Sequence, residues 1–202
     1  EKQQAVRQDT SWFDQAATES AKPKLTVVDG GGRSKALRIV MPEPNERYVT
    51  CVPLIPLKIA AGAFSETQGL DDSECEWVAV QGATRPSTGL FVAQVVGESM
   101  NRRIPNGAWC LWRLNPGGSR QGKVVLAQHR DITDPEHGGR YTVKVYESEK
   151  VATDDGRWRH SLVRLKPASD DPSFEPIVLE HLEEGELCII ADFLEVIASL
   201  HQ

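Results

Sequence analysis

Val95-Val96-Gly97-Glu98-Ser99-Met100-Asn101, carried through a short loop into Ala108-Trp109-Cys110-Leu111-Trp112, is the stretch around which the chain is organised. An apolar run ends in a glycine turn, a serine stands at the exit of that turn, and a second apolar run follows. The same alternation of short runs and breaks extends to both sides. Apolar runs recur at Val49–Leu57, Trp77–Val80, Phe91–Val96, Ala108–Leu114, Lys123–Gln128, Tyr141–Tyr146, His160–Pro167 and Leu187–Ile197. Turn-formers separate them, among them Pro116-Gly117-Gly118, His137-Gly138-Gly139 and Asp154-Asp155-Gly156. Many short strands punctuated in this way predict a mainly β fold, a sandwich or partly open barrel. Helix is expected only near the N-terminus, as one turn after Met100, and around Glu180–Glu183.

The bulk numbers bound the answer. A chain of 202 residues with 40% hydrophobic content supports one ordinary domain and a tail. A net charge of −6 argues against general, charge-driven nucleic-acid binding, which needs clustered Lys and Arg facing phosphates. The basic spots at Arg102-Arg103 and between Arg157 and Arg164 read as ordinary surface. Cys51, Cys75, Cys110 and Cys188 are scattered with no CxxC pair, and Cys110 and Cys188 lie in apolar runs as small hydrophobes. That usage fits a reducing cytoplasm. No apolar run approaches the roughly 18 residues of a membrane span, and no signal peptide opens the chain.

The N-terminal part, residues 1–48, reads as a segment or linker with little structure of its own. Asp9-Thr10 could cap a helix carrying Trp12, Phe13 and Ala16, and Leu25–Val28 and Leu37–Val40 could be short strands on either side of Asp29-Gly30-Gly31-Gly32. The triple glycine lacks the Lys-Ser or Lys-Thr that a phosphate loop requires. The chain opens on Glu1 rather than methionine, as a fragment of a longer protein would.

Two residue types carry the chemistry. A serine hydroxyl is a poor nucleophile until a base takes its proton, and lysine serves as that base only when neutral. A free lysine has a pKa of about 10.4, and burial among apolar side chains lowers it by penalising the ammonium. Lys144 stands in Tyr141-Thr142-Val143-Lys144-Val145-Tyr146, where strand alternation puts it on one face with Thr142 and Tyr146. Ser99 sits where a tight turn leaves the backbone amides of Glu98 and Ser99 free to face a developing oxyanion. Taken singly, a strand lysine is more often solvated and a loop serine inert.

Taken in order, three stretches resemble the LexA and UmuD family of self-cleaving serine peptidases, to which many phage repressors also belong. Val52-Pro53-Leu54-Ile55 leading to Ala60-Ala61-Gly62 is similar to the family's cleavage-site region, here within residues 49–66. Val96-Gly97-Glu98-Ser99-Met100 with Ile104-Pro105-Asn106-Gly107 is similar to its nucleophile segment, and Tyr141-Thr142-Val143-Lys144 to its base strand. The Leu187–Ile197 run is similar to its closing strand.

The resemblance implies a LexA-like peptidase domain over residues 49–200. Ser99 would be the nucleophile, Lys144 the general base, the amides of Glu98 and Ser99 the oxyanion hole, and Ala61–Gly62 the scissile bond. It implies no cofactor or metal, a homodimer, and the chain's own cleavage loop as substrate. In such proteins cleavage is a switch in the response to DNA damage, often triggered by a RecA filament on single-stranded DNA, that releases what lies N-terminal. The other reading is a non-cleaving domain for dimerisation or partner binding, or the regulatory tail of a larger DNA-transacting or defence protein.

The sequence departs from the family pattern in three places. Ser99 and Lys144 are further apart than usual, with the surplus at Asp131–Arg140, where a longer hairpin tip is expected. Val145 stands where a basic residue is common, and Glu98 where a smaller one is. His129 and His137 match no common metal spacing, and Asp131, Asp134 and Glu136 lack the calcium-loop pattern. Trp109 and Trp112 cannot share a face of a regular strand, and both are expected to pack in the core.

Overall fold

The computed structural model describes residues 37–57, 75–80, 84–115, 117–130, 132, 141–152, 158–180, 182 and 185–198. All of these lie in the compact unit that spans residues 33–202. The expected N-terminal helix and the Leu25–Val28 strand fall outside the described residues.

The fold is mainly β, as the sequence predicts. Ten strands make one open, mixed sheet: β1 (Arg38–Val40), β2 (Cys51–Leu54), β3 (Glu76–Ala79), β4 (Leu90–Val95), β5 (Ala108–Leu114), β6 (Val124–His129), β7 (Tyr141–Ala152), β8 (Trp158–Lys166), β9 (Ile177–Glu180) and β10 (Leu187–Ala198). Their order across the sheet is β1-β3-β2-β4-β5-β10-β6-β7-β8-β9. Every pairing of these strands is antiparallel except β2 with β4, which run parallel with Leu54 opposite Val92. β1 belongs to the stretch read as linker, yet it pairs with β3 from Arg38↔Ala79 to Val40↔Trp77.

Two expectations need correction. Glu180 closes strand β9 rather than opening a helix. Leu179 is buried and Ile177 packs beside it on the same cluster, and two inward residues on a four-residue strand leave little periodicity to read. β7 and β8 also run further than their apolar stretches, pairing out to Ala152↔Trp158, and Glu147–Lys166 and Glu149–Arg164 ion pairs lie along the part of β7 beyond Tyr146.

The largest core cluster joins β4, β5, β6, β7 and β10, with Phe91, Trp112, Leu126 and Ile190 almost wholly enclosed. Trp112 is stacked on Phe91 and meets Phe193 edge-on. Trp109 packs against a second cluster built on Val52, Val78, Leu90, Val92 and Leu111, so the two tryptophans do serve different cores. Met100 and Ile104 enter the large cluster from the loop after β4. That loop holds the expected single turn: the N–H groups of Arg103 and Ile104 both donate to the Met100 carbonyl at 2.8 Å. None of the four cysteines is in a disulfide.

Candidate active site

β4 delivers the serine and β7 the lysine. Alternation along β7 sends Val143 and Val145 into the large core, and Lys144 to the other face beside Thr142. β6 and β10 lie between β7 and the β4–β5 pair in the sheet, so the two stretches meet only through the loop that follows β4. Met100 and Ile104, both buried, anchor that loop and carry Ser99 to the lysine.

Lys144 Nζ donates to Ser99 Oγ at 2.8 Å, across 45 positions of sequence. It also reaches Thr142 Oγ1 at 3.0 Å and the Val143 carbonyl at 3.1 Å. All three of these acceptors are neutral oxygens. Only 8% of Lys144 is exposed, and burial of this degree works against the ammonium. Ser99 is half-buried.

The backbone of the turn that carries Ser99 is held at several points. Gly97 has a φ of 107°, a left-handed conformation that a side chain would strain. Its N–H donates to Asn106 Oδ1 at 2.9 Å. The Ser99 carbonyl accepts from Ala168 N–H at 2.9 Å, and the Arg102 N–H donates to the Ala168 carbonyl at 2.9 Å. Among the described residues the amides of Glu98 and Ser99 donate to no acceptor. Unpaired donors beside a nucleophile are what an oxyanion requires.

Ser99 and Lys144 are therefore brought together. Ala60, Ala61 and Gly62 lie outside the described residues, as does the hairpin tip at Asp131 and 133–140. β6 and β7, which flank that tip, pair antiparallel from Val124↔Val145 to Gln128↔Tyr141. Among the described residues no cluster of His, Cys, Asp or Glu could hold a metal ion, and no helix is long and apolar enough to cross a membrane. Cys110 cannot compete as a nucleophile, since burial pushes its thiol up to about 12.

Sequence reasoning passed over Asn106 and Ala168. Pro105-Asn106-Gly107 carries a turn signal, but a turn signal does not say what the asparagine side chain binds. Nothing in the sequence marks Ala168, whose contribution is made by its backbone alone. Comparison with known proteins leaves the site to stand on its geometry: no family model matches the chain, and no curated protein matches it.

Proposed function

We propose that this chain is a serine endopeptidase of the LexA-like kind that cuts itself between Ala61 and Gly62. The observation that carries the reading is the 2.8 Å contact between Ser99 Oγ and a lysine amine that is only 8% exposed. Ser99 Oγ attacks the Ala61 carbonyl carbon while its proton passes to neutral Lys144 Nζ. The tetrahedral oxyanion is held by the Glu98 and Ser99 amides. As the intermediate collapses, the C–N bond breaks and Lys144 returns the proton to the Gly62 nitrogen. Water, with Lys144 again as base, then hydrolyses the Ala61–Ser99 ester.

The tether supports this substrate. Ile55 N–H donates to the Val92 carbonyl at 2.8 Å, so the chain enters the cleavage segment already alongside β4. Ala61 follows Leu54 by seven residues, and Ser99 follows Val92, the partner of Leu54, by the same seven. From Leu57 to Ala61 the chain can span at most roughly 14 Å, a short tether. Tethering supplies a high effective concentration without a separate binding pocket. The cut acts as a switch on whatever the N-terminal part carries, set off by a signal partner.

Incubation at mildly alkaline pH, read by intact mass, is expected to yield fragments of 61 residues and the remaining 141 of the 202. Ser99→Ala and Lys144→Ala abolish both fragments. Fragments persisting in Ser99→Ala would overturn the mechanism. An intact wild type indistinguishable from Lys144→Ala, under every trigger tried, would leave a non-cleaving partner-binding domain instead.

A further inference from the structure

We infer that Asn106 is a positioning residue for the oxyanion hole, and that it works by neutral, two-point recognition of the turn, at the Gly97 amide and the Glu98 carboxylate. The inference rests on the Ser–Lys reading of the site. Its carboxamide makes two hydrogen bonds to consecutive residues: Oδ1 accepts from Gly97 N–H at 2.9 Å, and Nδ2 donates to Glu98 Oε1 at 2.9 Å. The peptide unit between those residues carries the Glu98 N–H, one of the two amides left without an acceptor. One side chain therefore holds the residues on both sides of that unit, Gly97 through its own N–H and Glu98 through its carboxylate, while leaving the Glu98 N–H unspent.

Asn106 is itself firmly mounted. The neighbouring Gly107 N–H donates to the Val95 carbonyl at 2.8 Å, and the Gly107 carbonyl accepts from Gln94 Nε2 at 2.9 Å. Ala108 N–H closes the turn on the Pro105 carbonyl at 3.0 Å. The template is thus the start of β5 held against the end of β4, and the nucleophile turn is laid upon it.

Glu98 has a second carboxamide partner. Asn101 Nδ2 donates to Glu98 Oε2 at 3.2 Å, so both carboxylate oxygens are occupied by amide donors. An anion on the residue that supplies an oxyanion-hole amide would oppose the developing negative charge if it swung inward. Two carboxamides restrain it. An aspartate in place of Asn106 could still accept from Gly97 but could not donate to Glu98, and would set two carboxylates face to face.

The experiment is a cycle on the full chain with two readouts: self-cleavage followed by intact mass, and covalent labelling of Ser99 by a fluorophosphonate, whose adduct needs the same amides. Asn106→Asp is expected to slow both by about 10- to 100-fold, the range for a sub-ångström to one-ångström misplacement of a catalytic group. Glu98→Gln/Asn106→Asp restores both to within about threefold of wild type, because the carboxamide introduced by the first change donates to the carboxylate introduced by the second. Asn106→Ala is slowed and is not rescued by Glu98→Gln, since no side chain remains to receive the bond. A loss that came only from general destabilisation would not show this selective rescue. Reactive wild type with Asn106→Asp unchanged, or with the double variant no faster than the single, overturns the inference alone. Wild type inert to both readouts overturns the Ser–Lys reading, and the inference with it.

Discussion

At the scale of single residues, Thr142 is the hydroxyl partner of the lysine to which the proposed mechanism gives the role of base. Its Oγ1 is 3.0 Å from Lys144 Nζ and accepts from it, which favours the ammonium and holds the amine toward Ser99. Thr142→Val keeps the shape and removes the acceptor. The pH–rate profile for self-cleavage is expected to move toward lower pH, since the charged form loses a partner. The plateau should fall by about tenfold, since the amine loses a guide. A profile moved toward higher pH would contradict this. The alternation of Tyr141–Tyr146 was enough to put Thr142 and Lys144 on one face. That Ser99 meets them was legible only through the ordered motifs, because strand periodicity carries no information across 45 positions. Asn106 was illegible for the same reason: its partners are Gly97 and Glu98, reached by tertiary contact.

At the scale of elements, the turn that carries Ser99 is clamped by the segment that follows β8. Ala168 gives its N–H to the Ser99 carbonyl and takes the Arg102 N–H, both at 2.9 Å, while Asp170 N–H donates to Asn101 Oδ1 at 3.0 Å. The turn therefore has β5 on one side and this segment on the other. Ala168→Pro removes the donor to Ser99, a net loss of about 1 kcal/mol as a hydrogen bond. Self-cleavage should slow by about tenfold while the thermal midpoint falls by only a few degrees. The Arg102–Asp170 ion pair, at 2.6 Å, makes the contrast, because both side chains are largely exposed, at 64% and 73%. Asp170→Asn keeps the backbone bond and should alter the rate by less than about twofold. Equal losses in the two variants would mean that charge, not backbone, carries the clamp. The strands themselves were the readable part of this level. β5 runs over Ala108–Leu114, the residues expected from the sequence, because its ends are marked by Gly107 and by Asn115-Pro116. β9 escaped notice because only Ile177 and Leu179 of its four residues turn toward the core.

At the scale of the whole molecule, the strand order determines what a cut after Ala61 could release. β1 and β2 precede that bond, β3 follows it, and β3 lies between them in the sheet. β2 is also joined to β4 at Leu54↔Val92, and Cys51, Val52 and Ile55 are buried at 0–2% exposure. Burial of a side chain such as Val52 or Ile55 is worth about 1.5–3 kcal/mol relative to exposure, before the ladder hydrogen bonds are counted. Hydrolysis removes the covalent link and the high effective concentration it provided, but leaves these contacts intact. The 61-residue fragment should therefore stay bound to the remainder. After complete cleavage the two pieces are expected to co-elute in size-exclusion chromatography at micromolar concentration, and to part only in urea or on strong dilution. Val52→Asp, which puts an unpaired charge into that buried strand, should separate them without denaturant. If the wild-type fragment elutes alone as soon as the bond is cut, β1 and β2 do not hold the sheet as their pairing implies. If it stays, the severed chain needs a second event, the peeling of β2 from between β3 and β4, before its N-terminal part is free.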